Sequence, residues 1–241
     1  MESKIVVITD LRSTEAREAD AYLRNLGYDV RIVPEDVCLF DEEAVKAFAE
    51  SVRDGLHAVI HPAPPIRPCG IDDVTEERWE QASNEGIFAA FTVTKVFREI
   101  MRERGHGSII YLNSIHSEKP IGKGVLFSIN AGATQMLMRE ACQDYGYFGL
   151  RFFFIQNGIT EEEAAIAKND NTAIYSSAEL RYPNRAWPEK DALNGLIAFL
   201  LTDAAAPLNG ATLPADGGQT QYYGHRFKTE GREYYEFHPR D

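Results

Sequence analysis

Cysteine is scarce: Cys38, Cys69 and Cys142 are the only three in a chain of 241 residues. Their odd number and wide spacing argue against a disulfide framework and against a structural zinc site, and make a cytoplasmic home the expectation. Positive charge is also in short supply. Lys and Arg total 25 against 37 Asp and Glu, a formal net charge of −12. Such a chain repels phosphate backbones and anionic lipid at long range, so neither nucleic acid nor a membrane surface is an expected partner. No apolar run has the length that a bilayer span requires. The opening residues MESKIVVITD carry one Lys, a short apolar run and then an Asp. They read as a first strand rather than a signal peptide. Glycine is missing from the first 26 positions, so the residue that adopts a positive φ without strain is not available there.

What is present is ordinary for a globular protein: 44% hydrophobic and 26% charged residues. These values exclude bulk disorder. Short β-branched and apolar runs at residues 4–9, 28–33, 57–61, 108–112, 150–156 and 211–214 predict six strands. Between them lie helical patterns. One ends at Leu26 with Gly27 as its stop, and another at 41–53 places Ala44, Val45, Phe48 and Val52 on one face. A long helix spans 76–104 with a break near Gly86, and further helices are predicted at 125–145 and 191–201. Strands alternating with helices give an α/β fold, a single-domain doubly wound parallel sheet. No repeat or linker divides it. The run Phe152–Phe154 belongs in the core of a central strand.

Three stretches of the second half carry a recognisable pattern. Gly107-Ser-Ile-Ile-Tyr-Leu-Asn-Ser114 is a strand ending in serine. Phe127-Ser-Ile-Asn-Ala131 begins thirteen residues beyond that serine. Asn209-Gly210 is followed by Ala215-Asp216-Gly217-Gly218. In this order and spacing they resemble the short-chain dehydrogenase/reductase (SDR) family, over nearly the whole chain up to Gly218. The resemblance implies a Rossmann-like domain over residues 1–218, leaving 219–241 as a C-terminal tail.

The resemblance also implies a catalytic serine, tyrosine and lysine with a relay asparagine. The serine position is Ser114, but Phe127 and Ala131 occupy the tyrosine and lysine positions, and the asparagine position falls near Gly86. Phenylalanine has no proton to give, and a positioned acid contributes about 10²–10⁴-fold to such a reaction. The family's glycine-rich cofactor loop is replaced by Thr9-Asp10-Leu11-Arg12-Ser13-Thr14-Glu15-Ala16, without a glycine. Asp10 and Thr14 crowd a pyrophosphate there, Asp10 and Glu15 repel it, and Arg12 offers a partial phosphate partner. The family's Asn-Asn-Ala-Gly segment becomes His61-Pro62-Ala63-Pro64. No cofactor is therefore expected, and NAD(P) only if the altered loop still holds it.

Ser114, His116, Glu118 and Lys119 fall on one loop at a strand's carboxyl end, where α/β sites form. A serine near a histidine is a candidate nucleophile pair; the simpler expectation is a solvated polar loop around an inherited serine. His61 reads as a hydrogen-bonded structural residue that borders the same crevice. His57 and His61 are too far apart on a strand to share a metal, so none is expected. Thr160 and Glu163 match a helix capping box. The irregular stretch up to Trp187 falls where the family has a substrate lid. The tail carries Tyr222, Tyr223, Phe227, Tyr234, Tyr235 and Phe237, too many aromatics for a free tail. They are expected to dock on a neighbouring subunit, over the pocket, or within the chain.

The leading functional expectation is a catalytically degenerate SDR-fold protein. It would be a non-catalytic subunit or binding module of a homo-oligomer, or of a hetero-oligomer with an SDR relative, with a small molecule as possible ligand. Its association surfaces would lie on 76–104 and 125–145. The alternatives are a non-redox enzyme using Ser114, related in kind to halohydrin dehalogenases, or an atypical SDR oxidoreductase.

Overall fold

All six predicted runs become parallel strands of one sheet. β1 is Ile5–Ile8, β2 Asp29–Ile32, β3 Leu56–Pro62, β4 Gly107–Ser114, β5 Leu150–Asn157 and β6 Thr212–Ala215. Their order is β2-β1-β3-β4-β5-β6. The computed structural model describes residues 4–120, 122–161, 165 and 182–221. The chain divides into two compact units, residues 1–159 with 188–216, and residues 160–187 with 217–241.

The helices of the first unit are α1 Thr14–Asn25, α2 Glu42–Glu50, α3 Glu76–Ser83, α4 Ala89–Arg104, α5 Val125–Tyr145 and α6 Asn194–Leu200. Capping side chains set their starts. Ser13, Asp41 and Thr75 each accept a backbone N–H of the first turn. Gly105, at φ +72, ends α4 in the left-handed conformation that glycine adopts without strain. The predicted break near Gly86 is a π-helical turn, Asn84–Phe88, joining α3 to α4.

Alternation along the strands sends side chains to both faces. Val7, Val59, Ile109, Tyr111, Phe152 and Phe154 meet α2, α4 and α5 on one face. Val6, Ile8, Ala58, Ile60, Ile110, Phe153 and Ile155 meet α1 and α6 on the other. The three phenylalanines are fully buried, as expected of a central strand covered on both sides. Among the described residues no helix is long and apolar enough to cross a membrane.

In the second unit, the Tyr182 hydroxyl donates to Gln219 Oε1 at 3.0 Å, and its ring meets Trp187 edge-on. Gly217 (φ +58) packs so closely that a β-carbon there would come within 3.2 Å of the Tyr182 ring. Glu163, most of the proposed lid and the six tail aromatics lie outside the described residues.

Candidate functional site

The chain reverses its winding between β1 and β3, and in such sheets ligands bind beyond the carboxyl ends of the strands at that reversal. The loops there are 9–13 and 63–68. The Thr9 hydroxyl and His61 Nδ1 share a hydrogen bond of 2.8 Å. His61 stands beside Tyr111 in the register and meets its ring edge-on, and the Tyr111 hydroxyl lies 2.6 Å from Thr94 Oγ1. Burial pushes the His61 imidazole down to about 4, so it is neutral at pH 7. This is the structural, hydrogen-bonded histidine that the sequence reading anticipated.

The head of α1 is shaped by side chains where glycines would otherwise make the turn. Arg17 Nη1 donates to the carbonyls of Leu11 (3.0 Å) and Arg12 (2.9 Å), and its Nη2 donates to Thr14 Oγ1 (2.9 Å). The Asp10 carboxylate accepts from the backbone N–H and the guanidinium of Arg12. Arg12 therefore does not stand free as a phosphate partner. Glu15 Oε1 accepts from Asn157 Nδ2 at 2.8 Å, bridging the first turn of α1 to the end of β5. A phosphate at this helix end would meet two carboxylates and an engaged arginine.

At the end of β4, Ser114 Oγ accepts from the backbone N–H of His116 at 3.3 Å, and Asn113 Oδ1 accepts from Ser114 N. The His116 ring turns elsewhere: its Nδ1 bonds the Lys119 carbonyl at 2.7 Å, and the ring sits edge-on to Phe127. The serine thus meets the backbone of His116 and not an imidazole nitrogen, which removes the geometric support for a nucleophile pair. The expected solvated loop needs correction. Glu118 and Lys119 are exposed, but Ser114 (9% exposed) and His116 (4%) are buried. The reason is local: Ser114 caps the short turn Ile115–Ser117 and curls it inward. Ala131 is buried one turn along α5 from Phe127. His57 lies at the far end of β3, bonded to the Leu201 carbonyl.

Sequence reasoning missed Asn130. Its Oδ1 accepts the Ile87 N–H at 3.1 Å and its Nδ2 donates to the Leu126 carbonyl at 2.8 Å. The amide fills the space above Gly86, where a β-carbon would lie 2.7 Å from Asn130 Cγ. Diverting Ile87 N–H from its helical partner accounts for the π turn. The available signal was a glycine inside a long helical pattern combined with an asparagine next to Ala131. Asn130, Leu126 and Phe127 also border a pocket of about 190 Å³ with Pro64, Pro65, Pro68, Arg67, Arg78 and Glu85. Among the described residues no group of three or more His, Cys, Asp or Glu is placed to hold a metal.

A family model described as enoyl-(acyl carrier protein) reductase matches residues 2–220. Acetoacetyl-CoA reductase of Allochromatium vinosum is 27% identical over 218 residues, covering 88% of this chain and 87% of that protein. Among solved structures, a gluconate 5-dehydrogenase from Burkholderia cenocepacia in complex with NADP and tartrate superposes with a TM-score of 0.80. It shares 21% identity and covers 92% of this chain and 97% of its own. A tyrosine-to-phenylalanine variant of ElxO with NADPH bound reaches a TM-score of 0.80 at 16% identity, covering 91% and 100%.

Proposed function

Because the chain belongs to the short-chain dehydrogenase/reductase family, an oxidoreductase family, we propose that it is a branch of that family without redox chemistry of its own, acting as a binding module within an oligomer. The observation that carries this reading is the head of α1. Arg17 ties the loop, Asp10 holds Arg12, and Glu15 crosses to Asn157, so the residues present do not fit a dinucleotide pyrophosphate. Dinucleotides sit on relatives' structures, including the phenylalanine-bearing ElxO variant. The loop, and not Phe127, therefore carries the argument against binding. Phe127 and Ala131 carry the separate argument against turnover, since neither gives or holds a proton.

Calorimetric titration with NADH and NADPH is expected to show no binding in the micromolar range. A screen of carbonyls and alcohols is expected to show no turnover that Ser114→Ala abolishes. Joint replacement Phe127→Tyr and Ala131→Lys should not create activity, because the loop is unchanged. Micromolar binding of either dinucleotide overturns the reading.

The assembly half of the proposal rests on exposed apolar residues along α3, the π turn, α4 and α5. Trp79, Phe88, Phe91, Ile129 and Met136 are each roughly half exposed. Their exposure supports the reading that these helices carry an association face. Light scattering at micromolar concentration is expected to give an oligomer, and Phe91→Asp with Met136→Asp to shift it toward monomer. A monomeric wild type defeats this half.

A further inference from the structure

The pocket beside Phe127 is built unlike the rest of the crevice. Pro64, Pro65, Pro68, Ala82, Leu126 and Phe127 give it apolar walls, and it encloses about 190 Å³. An apolar cavity of about 150 Å³ holds a benzene ring, so one ring with a small substituent is the size that fits here. Two arginines border it, and they differ. Arg67 Nη1 lies 2.7 Å from Glu85 Oε2, and Glu85 Oε1 accepts from Gln81, so that cation is already paired. Arg78 uses only Nη1, toward the Asp73 carbonyl at 3.2 Å and Cys69 Sγ at 3.8 Å. Among the described residues it has no carboxylate within salt-bridge distance. Its Nε–H and Nη2–H remain as a fork, the geometry that a carboxylate accepts with two parallel bonds. Multiply charged ligands are disfavoured. The chain carries a net −12, and Asp72, Asp73, Glu76 and Glu77 flank the start of α3.

We propose that this pocket binds a small monocarboxylate carried on a single apolar ring, the ring against Phe127 and the prolines and the carboxylate on Arg78. The inference rests on the binding-module reading and names the class of ligand that the module holds. Chemically it asks for no reaction: the ring replaces water on apolar walls, and one charge pairs with Arg78, the bordering arginine that has no carboxylate partner among the described residues.

Benzoate is the probe. At the efficiency of small ligands its nine non-hydrogen atoms give a dissociation constant of about 0.1–1 mM. Titration of the ¹⁵N-labelled full chain is expected to move the amides of Gln81, Phe127 and Asn130. Benzamide, which keeps the ring and loses the charge, is expected to bind at least tenfold more weakly. Arg78→Gln is expected to weaken benzoate by a similar factor, and Arg78→Lys, which keeps the charge without the fork, by less. An unchanged amide spectrum elsewhere shows that each variant folds. Equal affinity of benzoate for wild type and Arg78→Gln overturns the proposal, as do benzamide binding as tightly as benzoate and the absence of shifts at the pocket. Titrating NADPH into the same sample separates the two readings. Binding of the dinucleotide breaks the non-redox reading, whereas failure of benzoate alone leaves the argument from the α1 loop standing.

Discussion

Gly86→Asn is expected to destabilise the protein by about 2–4 kcal/mol. In a chain of this size that is a fall of roughly 5–10 °C in melting temperature. The new β-carbon would stand 2.7 Å from Asn130 Cγ. Asn130 cannot swing away cheaply, because its amide is held at both ends by Ile87 N–H and the Leu126 carbonyl. Asn130→Ala alone should cost about 1–3 kcal/mol, since it leaves the half-buried Ile87 N–H without its partner. Combined, the two changes should cost clearly less than their sum. Alanine removes the clash, and the introduced amide lies near the groups that lost a partner. Melting curves of the four proteins measure the coupling. Strict additivity would show that the amide above Gly86 is not the obstacle.

Acidification gives the second large effect. His61 titrates near 4 in the folded chain, against about 6.5 when unfolded. Its folded value is depressed, so between those two values the unfolded state binds the extra proton and stability rises with pH. The full contribution is present above pH 6.5 and is lost progressively as pH falls toward 4, about 3 kcal/mol in all. By pH 5 roughly 2 kcal/mol of it is gone. His57, lowered chiefly by burial, acts with the same sign. His61→Asn replaces the titrating ring by a neutral amide still able to bond Thr9. Urea unfolding of both proteins from pH 4.5 to 7.5 should show a shallower acid loss in the variant. Parallel curves would remove His61 as the cause.

Both predictions concern buried polar groups held by hydrogen bonds from distant segments. Arg17 shows the same logic at the α1 loop. Where glycine would turn the chain at no steric cost, a guanidinium bonds two carbonyls and a hydroxyl. The turn forms without glycine, tied by a side chain instead.

The sequence by itself determined the sheet and its helices. Each strand is a short apolar run that can be buried on both faces, and period and length separate such runs from the helical patterns. The strands therefore lie within one or two residues of their predicted ends, and α5 spans the predicted 125–145. Gly86 was legible as a break because glycine weakens a helix locally. Its consequence was not, since the π turn depends on an amide 43 residues away. The residues bordering the pocket were out of reach for the same reason: Pro64, Arg78 and Phe127 come from three separate elements. Ser114 and His116 looked like solvated loop residues because polarity is all that a sequence displays there. Only the tertiary structure, by curling the turn under the Ser114 cap and laying α5 across it, decided that both are buried.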